Sequence, residues 1–321
     1  MDVIFHGVRG STPTADQNFL KYGGSTTCTE ILHEKFQIIF DAGTGFQNVS
    51  ILKDRPTYLI FSHFHYDHIQ GLPFNHQIFD PSNKVTISSG LVKADELREV
   101  FVRAFQPMYF PIPLVDTLKN LKFVEFDLIK NELIDLCSIS TIQLNHPGGA
   151  AGYIVEKDKK KVCVFLDHEY GQEQIVDDEL LERARDSDLI VWDGMFLNEE
   201  LLPKKGWGHS SIEQGVDFSE KTACKNLAIA HHAPNRNDEQ LNEHSNNLSN
   251  EIKSTFKKVT NLTTKNKKII VNLAINYGSK NEILNAFKKT KKNLNLNNIQ
   301  KKHYTKNMPS LLSTSDAPHD S

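Results

Sequence analysis

The sequence predicts an α/β fold, a sandwich of β-sheets with helices on its outer faces. Three observations carry that expectation. Short β-prone runs bounded by turn residues recur along the first 230 residues. Helical periodicity is confined to a few stretches between them. A histidine or aspartate stands just past the end of several apolar runs. Many strands interrupted by a few helices suit sheets packed together under a helical cover.

Taken in order, Val3-Ile-Phe5, Thr29–Leu32 and Gln37–Phe40 read as strands, separated by the turn signals Gly10-Ser-Thr-Pro13 and Gly23-Gly24. Tyr58–Phe61 is a fourth strand and runs into a histidine cluster. Further strands are expected at Val85–Ser88, Thr141–Leu144, Gly152–Val155, Lys161–Leu166, Leu189–Trp192 and Leu227–Ala230. Helix is predicted over Ala94–Ala104, where Leu97, Val100, Phe101 and Ala104 fall at i, i+3, i+4 and i+7. Asp177–Ala184 and Ser211–Thr222 are the other helix candidates.

The polar residues past the strands form a pattern. Asp41 follows Ile38–Phe40, and His63, His65, Asp67 and His68 follow Tyr58–Phe61. His146 follows Thr141–Leu144, Asp167 ends Val162–Leu166, and His231 ends Leu227–Ala230. Strand ends are where a rigid scaffold aims side chains from distant parts of the chain at one point. Three histidines and an aspartate within six positions are poorly explained as isolated core or surface residues. Imidazole and carboxylate without thiolate suit zinc, with manganese or iron as alternatives. Two such ions can clamp a bridging hydroxide, lower its pKa and stabilise a leaving oxygen.

His63-x-His-x-Asp-His68 resembles the signature of the metallo-β-lactamase-fold superfamily, which implies an αββα four-layer sandwich with a metal site at one sheet edge. Asp41-Ala-Gly-Thr-Gly45 resembles its first motif, His146-Pro-Gly-Gly149 the third, Asp167 the fourth and His231 the fifth. By that resemblance His63, His65 and His146 hold one metal, and Asp67, His68 and His231 the other. Asp167 bridges them, Asp41 supports the metal loop from behind, and Asp67 also orients the attacking hydroxide. The resemblance spans residues 1–258.

Val8-Arg-Gly-Ser11, Tyr22-Gly-Gly24, Gln70–Phe74, Met108-Tyr-Phe-Pro111, Gly206-Trp-Gly-His-Ser210 and Ala230-His-His-Ala-Pro234 are similar to a phosphodiesterase-like bacterial branch. Ser25, His168 and Ala233 depart from that branch's usual residues, and none of these changes removes a ligand. The expected substrate is a small phosphodiester such as a cyclic nucleotide, with thioester or lactone hydrolysis as the alternative on the same site. A redox sensor with a di-iron site and a silent metal-binding module are the other rivals. Relatives of the redox type place glutamate where His65 stands, and the complete ligand set with Asp67 weighs against a silent module. Arg9, His209 and His232 are candidates for phosphate contact or leaving-group protonation. Each also has a structural alternative: a surface turn for Arg9, a helix cap for His209, support of His231 for His232. Tyr109 and Phe110 are candidates for a substrate-covering lid, or for a loop packed on the sandwich.

The charge is unevenly spread. Residues 251–321 hold 14 lysines and 4 acidic residues, a formal balance of about +10, which leaves about −13 for residues 1–250. That acidic balance, without a basic arm, argues against a large polyanionic substrate. No apolar run is long enough to span a bilayer, and the N-terminus has no basic leader with an apolar stretch. Cys28, Cys137, Cys163 and Cys224 form no C-x-x-C pair and read as reduced thiols. The expected location is the cytoplasm, and a homodimer is compatible with the sequence.

Past residue 258 the hydrolase pattern stops. Asn272–Ile283 and His303–Pro309 resemble an interior piece of a cis-prenyltransferase of the undecaprenyl diphosphate synthase type. The aspartate and phosphate-binding stretch of that family are missing, so residues 259–308 are expected to be a non-functional fragment and 309–321 a disordered tail. A gene fusion or a reading-frame artefact is the plainest account. Ile269–Leu273 is expected to pair as a sheet-edge strand in place of the hydrolase's own terminal strand.

Overall fold

The computed structural model describes residues 1–245 and the backbone of residues 270–273. Two six-stranded sheets are formed by these residues. The first runs in the order β1 (Asp2–Gly7), β2 (Cys28–His33), β3 (Phe36–Phe40), β4 (Thr57–Phe61), β5 (Val85–Ser89), β6 (Leu121–Phe123). β1–β2–β3 pair antiparallel, and β3 to β6 pair parallel. The second sheet contains β7 (Ser138–Leu144), β8 (Ala150–Lys157), β9 (Lys160–Phe165), β10 (Leu189–Asp193), β11 (Asn226–Ala230) and β12 (Ile270–Leu273). Its first three strands pair antiparallel and β9 to β12 parallel.

Strand periodicity of two separates three layers of core. Ile38, Phe40, Tyr58 and Ile60 meet Tyr153, Val155, Val162, Val164 and Val191 between the sheets. The alternate residues Ile39, Leu59, Phe61, Val85 and Ile87 face outward under helix α2, with Leu97 and Phe101. On the other side Cys163, Phe165, Ile190 and Trp192 pack with Leu180, Ile212 and Phe218. Each fully buried Leu or Phe stabilises the fold by about 1.5–3 kcal/mol. The result is the helix–sheet–sheet–helix order expected.

In chain order the helices described include α1 (Tyr66–Ile69), α2 (Ala94–Ala104), α3 (Leu114–Thr117), α4 (Phe126–Glu132), α5 (Gln174–Ala184), α6 (Asn198–Leu201) and α7 (Ile212–Lys221). α2 spans the residues its periodicity predicts. α7 starts from a capping box in which Ser211 Oγ accepts from Gln214 N–H at 3.0 Å, so His209 is not the cap. The strand β6 and helix α4 were not expected, because their apolar residues are too few to show a period.

The first compact unit spans Met1–Gly278 and the second Ser279–Ser321, which lies outside the described residues. The expected edge strand is present as β12, in parallel register with β11 from Asn226↔Ile270 to Ile229↔Leu273. The first sheet-bearing unit therefore takes a strand from beyond residue 258. The expected fragment 259–308 otherwise lies outside the described residues, as does the tail 309–321. All four cysteines are buried and unpaired. Among the described residues no helix is long and apolar enough to cross a membrane.

Candidate metal centre

The parallel strands β3, β4, β9, β10 and β11 end at a common edge, and each is followed by a polar residue: Asp41, His63, Asp167, Asp193 at the end of β10 itself, and His231. Carboxyl ends of parallel strands are where α/β sheets collect their ligands. Three of these residues leave their strands in left-handed backbone, with φ of 63° at Asp41, 57° at Asp167 and 55° at His231. That conformation is uncommon for residues with a Cβ and bends each side chain off the strand axis.

Three groups of ligand atoms converge, each within 4.8 Å: His63, His65, His146 and Asp167 in one, Asp67, His68 and His231 in another, and Asp167, His209 and His231 in a third. Asp167 lies between the first two. Its Oδ2 is 3.6 Å from Nε2 of both His63 and His146, while its Oδ1 is 3.1 Å from His68 Nε2 and 3.3 Å from His231 Nε2. Asp67 Oδ2 lies 3.2 Å from His231 Nε2 and 3.4 Å from His68 Nε2. His65 is the exposed member of the set, so the site opens to solvent on its side.

The far nitrogens are held by the protein, which decides what the near ones offer. His63 Nδ1 donates to Ser62 Oγ at 3.0 Å, because that hydroxyl spends its own proton on Asp41 Oδ2 at 2.8 Å. His68 Nδ1 donates to the same Asp41 Oδ2 at 2.9 Å, and His146 Nδ1 to the Gly208 carbonyl at 2.8 Å. The Nε2 atoms of His63 and His146 therefore present lone pairs inward, and that of His68 would do so once its proton is displaced. His63 Nε2 is buried without a hydrogen-bond partner among the described residues. Imidazole lone pairs facing carboxylate oxygens at these distances repel one another unless a cation stands between them. The donor set thus fits divalent metal, of the nitrogen and oxygen type suited to zinc.

Ionisation agrees. Burial pushes His63 far below the usual imidazole range, with neighbouring His68 adding to it, and burial also lowers His65 and His146. These rings are neutral and ready to bind. Burial opposes the charge on Asp67, but His68 and His231 outweigh it and keep the carboxylate ionised far below its usual range. For His68 burial is outweighed by Asp167, Asp67 and Asp41, so its ring holds a proton that a metal ion must displace.

The remaining candidates separate. His209 lies at the site: its Nδ1 is 2.8 Å from Asp193 Oδ2 and its ring stacks on His231 at 5.1 Å. Burial works against its charge, yet Asp193 raises its pKa to about 9. Arg9 is not at the surface. It is fully buried, donating from Nε to Gly23 O and from one Nη to Arg236 O, both at 2.7 Å, with Asp238 at 3.6 Å. There it joins the turn after β1 to residues 236–238 and has no free face for a phosphate. His232 is buried with its ring edge-on to Tyr22 at 6.1 Å, and its backbone bonds Val8 and Gly10. It is absent from all three converging groups. Tyr109 is exposed, and Phe110 packs edge-on against Phe74 and Phe105.

Sequence reading missed two supports. Asp193 orients His209 and accepts from the amides of His168 and Met195. Its signal, an acid ending an apolar strand, was the one used for Asp167. Ser11, in left-handed backbone, donates its amide to Asp67 Oδ2 at 2.7 Å. No side-chain pattern announces a backbone donor.

A family model for the β-lactamase superfamily domain matches residues 37–232. A second, for undecaprenyl diphosphate synthase, matches residues 222–319 and overlaps the end of the first. No curated protein matches the chain. Among solved structures, the metallo-β-lactamase-fold protein YhfI from Bacillus subtilis is similar at TM-score 0.57 and 15% identity, covering 85% of this chain and 95% of its own. Human tRNase Z, short form, is similar at 0.52 and 17%, covering 73% and 93%. A diphosphatase of the PhnP family is similar at 0.53 and 13%, covering 75% and 89%. At these identities the likeness is one of fold.

Proposed function

The chain belongs to the β-lactamase superfamily, in its metallo-β-lactamase fold, and from that premise we propose that it is a metal-dependent hydrolase of small phosphodiesters. The observation that supports this most is the placement of Asp167 between His63 and His146 on one side and His68 and His231 on the other. His63, His65 and His146 would hold one ion, Asp67, His68 and His231 the other, with Asp167 shared. Zn2+ suits the set best, with Mn2+ or Fe2+ as alternatives. When bound, the ions supply Lewis acidity to a phosphoryl oxygen and make water a nucleophile near neutral pH.

The chain's own groups then do the rest. Asp67, pinned through Oδ2 by Ser11 N–H, would orient the attacking hydroxide. His209, with Nδ1 on Asp193, holds a proton on its other nitrogen for the leaving oxygen. The acidic balance of residues 1–250 favours a small substrate over a nucleic acid.

The test is hydrolysis of bis-p-nitrophenyl phosphate by the metal-reconstituted protein beside an Asp67→Ala variant. Activity in the wild type that falls about a hundredfold or more in the variant is the expected outcome, because the substitution removes a candidate ligand and the group that orients the nucleophile. A folded, metal-loaded wild type that cleaves lactones or thioesters but not this diester would sink the reading.

A further inference from the structure

Trp207 is 60% exposed, whereas Trp192, the only other tryptophan, is fully buried. An indole is ordinarily drawn into packing. Here the backbone holds it out. Gly206 and Gly208 on either side take left-handed φ of 84° and 83°. Both amides donate to one carboxylate: Gly206 N–H to Glu169 Oε1 and Oε2, Gly208 N–H to Oε2, all at 2.9 Å. Glu169 stands two residues after Asp167, and its own amide bonds Asn145 O, beside His146. Gly208 O in turn fixes His146 Nδ1. One loop thus sets a metal ligand and presents Trp207 to solvent. Phe196 braces the indole edge-on at 6.3 Å and meets His209 edge-on at 5.8 Å. A second exposed ring, Tyr66, lies between His65 and Asp67 in the chain, and the rings of His65 and His146 are 4.9 Å apart.

We propose that Trp207 is a stacking platform at the mouth of the metal site, receiving the planar aromatic group of a small phosphate-ester substrate, with Tyr66 as the second ring. The proposal rests on the phosphoester reading for the substrate's other half. The aromatic group is either a nucleobase or a simple aryl ring, since both offer a π-face.

The experiment uses the full-length, Zn2+-reconstituted protein. Tryptophan emission is titrated with adenosine 5′-monophosphate, phenyl phosphate, ribose 5-phosphate and adenosine. Because Trp192 is buried, quenching reports Trp207. Calorimetry gives the affinities in Trp207→Ala and Trp207→Phe. An aromatic phosphate is expected to quench and to bind on the order of tenfold tighter than ribose 5-phosphate. Trp207→Ala should erase that preference without changing ribose 5-phosphate binding, and Trp207→Phe should keep part of it. Whichever aromatic phosphate binds more tightly identifies the ring. Equal affinities for aromatic and sugar phosphates, or a preference that survives Trp207→Ala, overturn the platform. If no phosphate binds but adenosine still quenches, the platform stands and the phosphoester reading falls. Silence from adenosine as well ends both.

Discussion

At the scale of single residues, the site depends on side chains whose backbone has been bent to aim them. Asp41, Asp167 and His231 each pay a conformational cost in left-handed φ. Asp41 shows what that cost secures. Its carboxylate accepts Ser62 N–H, Ser62 Oγ–H and His68 Nδ1–H, and so fixes two candidate ligand rings, His68 directly and His63 through Ser62. An Asp41→Asn substitution keeps the shape but puts an amide donor where an acceptor is required. Metal affinity should drop about 10- to 100-fold, measured by chelator competition, with the circular dichroism spectrum unchanged. Unchanged affinity would show that Ser62 and the backbone suffice to hold the rings.

At the scale of elements, the second sheet is tied together away from the site by Asp188, just before β10. Its carboxylate accepts from Lys160 Nζ at 3.0 Å, Lys161 N–H at 3.0 Å and Lys225 Nζ at 2.8 Å, linking β9 and the start of β11. Burial opposes the charge, but these donors lower its pKa to about 2. Because the folded value lies below the unfolded one, the stabilisation is full above about pH 4 and is lost as pH falls towards about 2. The lysine side chains are 62% and 46% exposed, so solvent screening limits the net effect to about 1 kcal/mol. Asp188→Asn should lower the urea midpoint at pH 7, and the gap to wild type should narrow steadily below pH 4. A gap independent of pH would assign the loss to packing instead.

At the scale of the whole molecule, the hydrolase sheet ends on a strand drawn from the lysine-rich region. β12 covers the edge of β11, whose next residue is the candidate ligand His231. Truncation after residue 258 removes that cover. The ladder lost is short, so the melting temperature should fall on the order of 5 °C, and the exposed edge should promote association visible by light scattering. A truncated chain equal to the full one in both respects would mean that β12 is dispensable. The domain division at 258 follows the end of the recognisable hydrolase pattern. We propose that the structural unit nonetheless extends through β12.

The sequence by itself determined the layered fold and singled out the candidate ligand cluster, because both are written in local pattern. Alternating apolar runs specify buried strands, and His63–His68 packs four ligand-type residues into one turn. Tertiary structure alone decided the supports. Arg9 reads as a phosphate contact until folding buries it between Gly23 and Arg236, 227 residues away in the case of the latter. His209 and His232 look alike in sequence, yet one stacks on His231 while the other packs against Tyr22. Asp193, the Ser11 amide and Glu169 act through hydrogen bonds between segments far apart in the chain. Such contacts depend on which strand ends become neighbours, and no residue spacing encodes that.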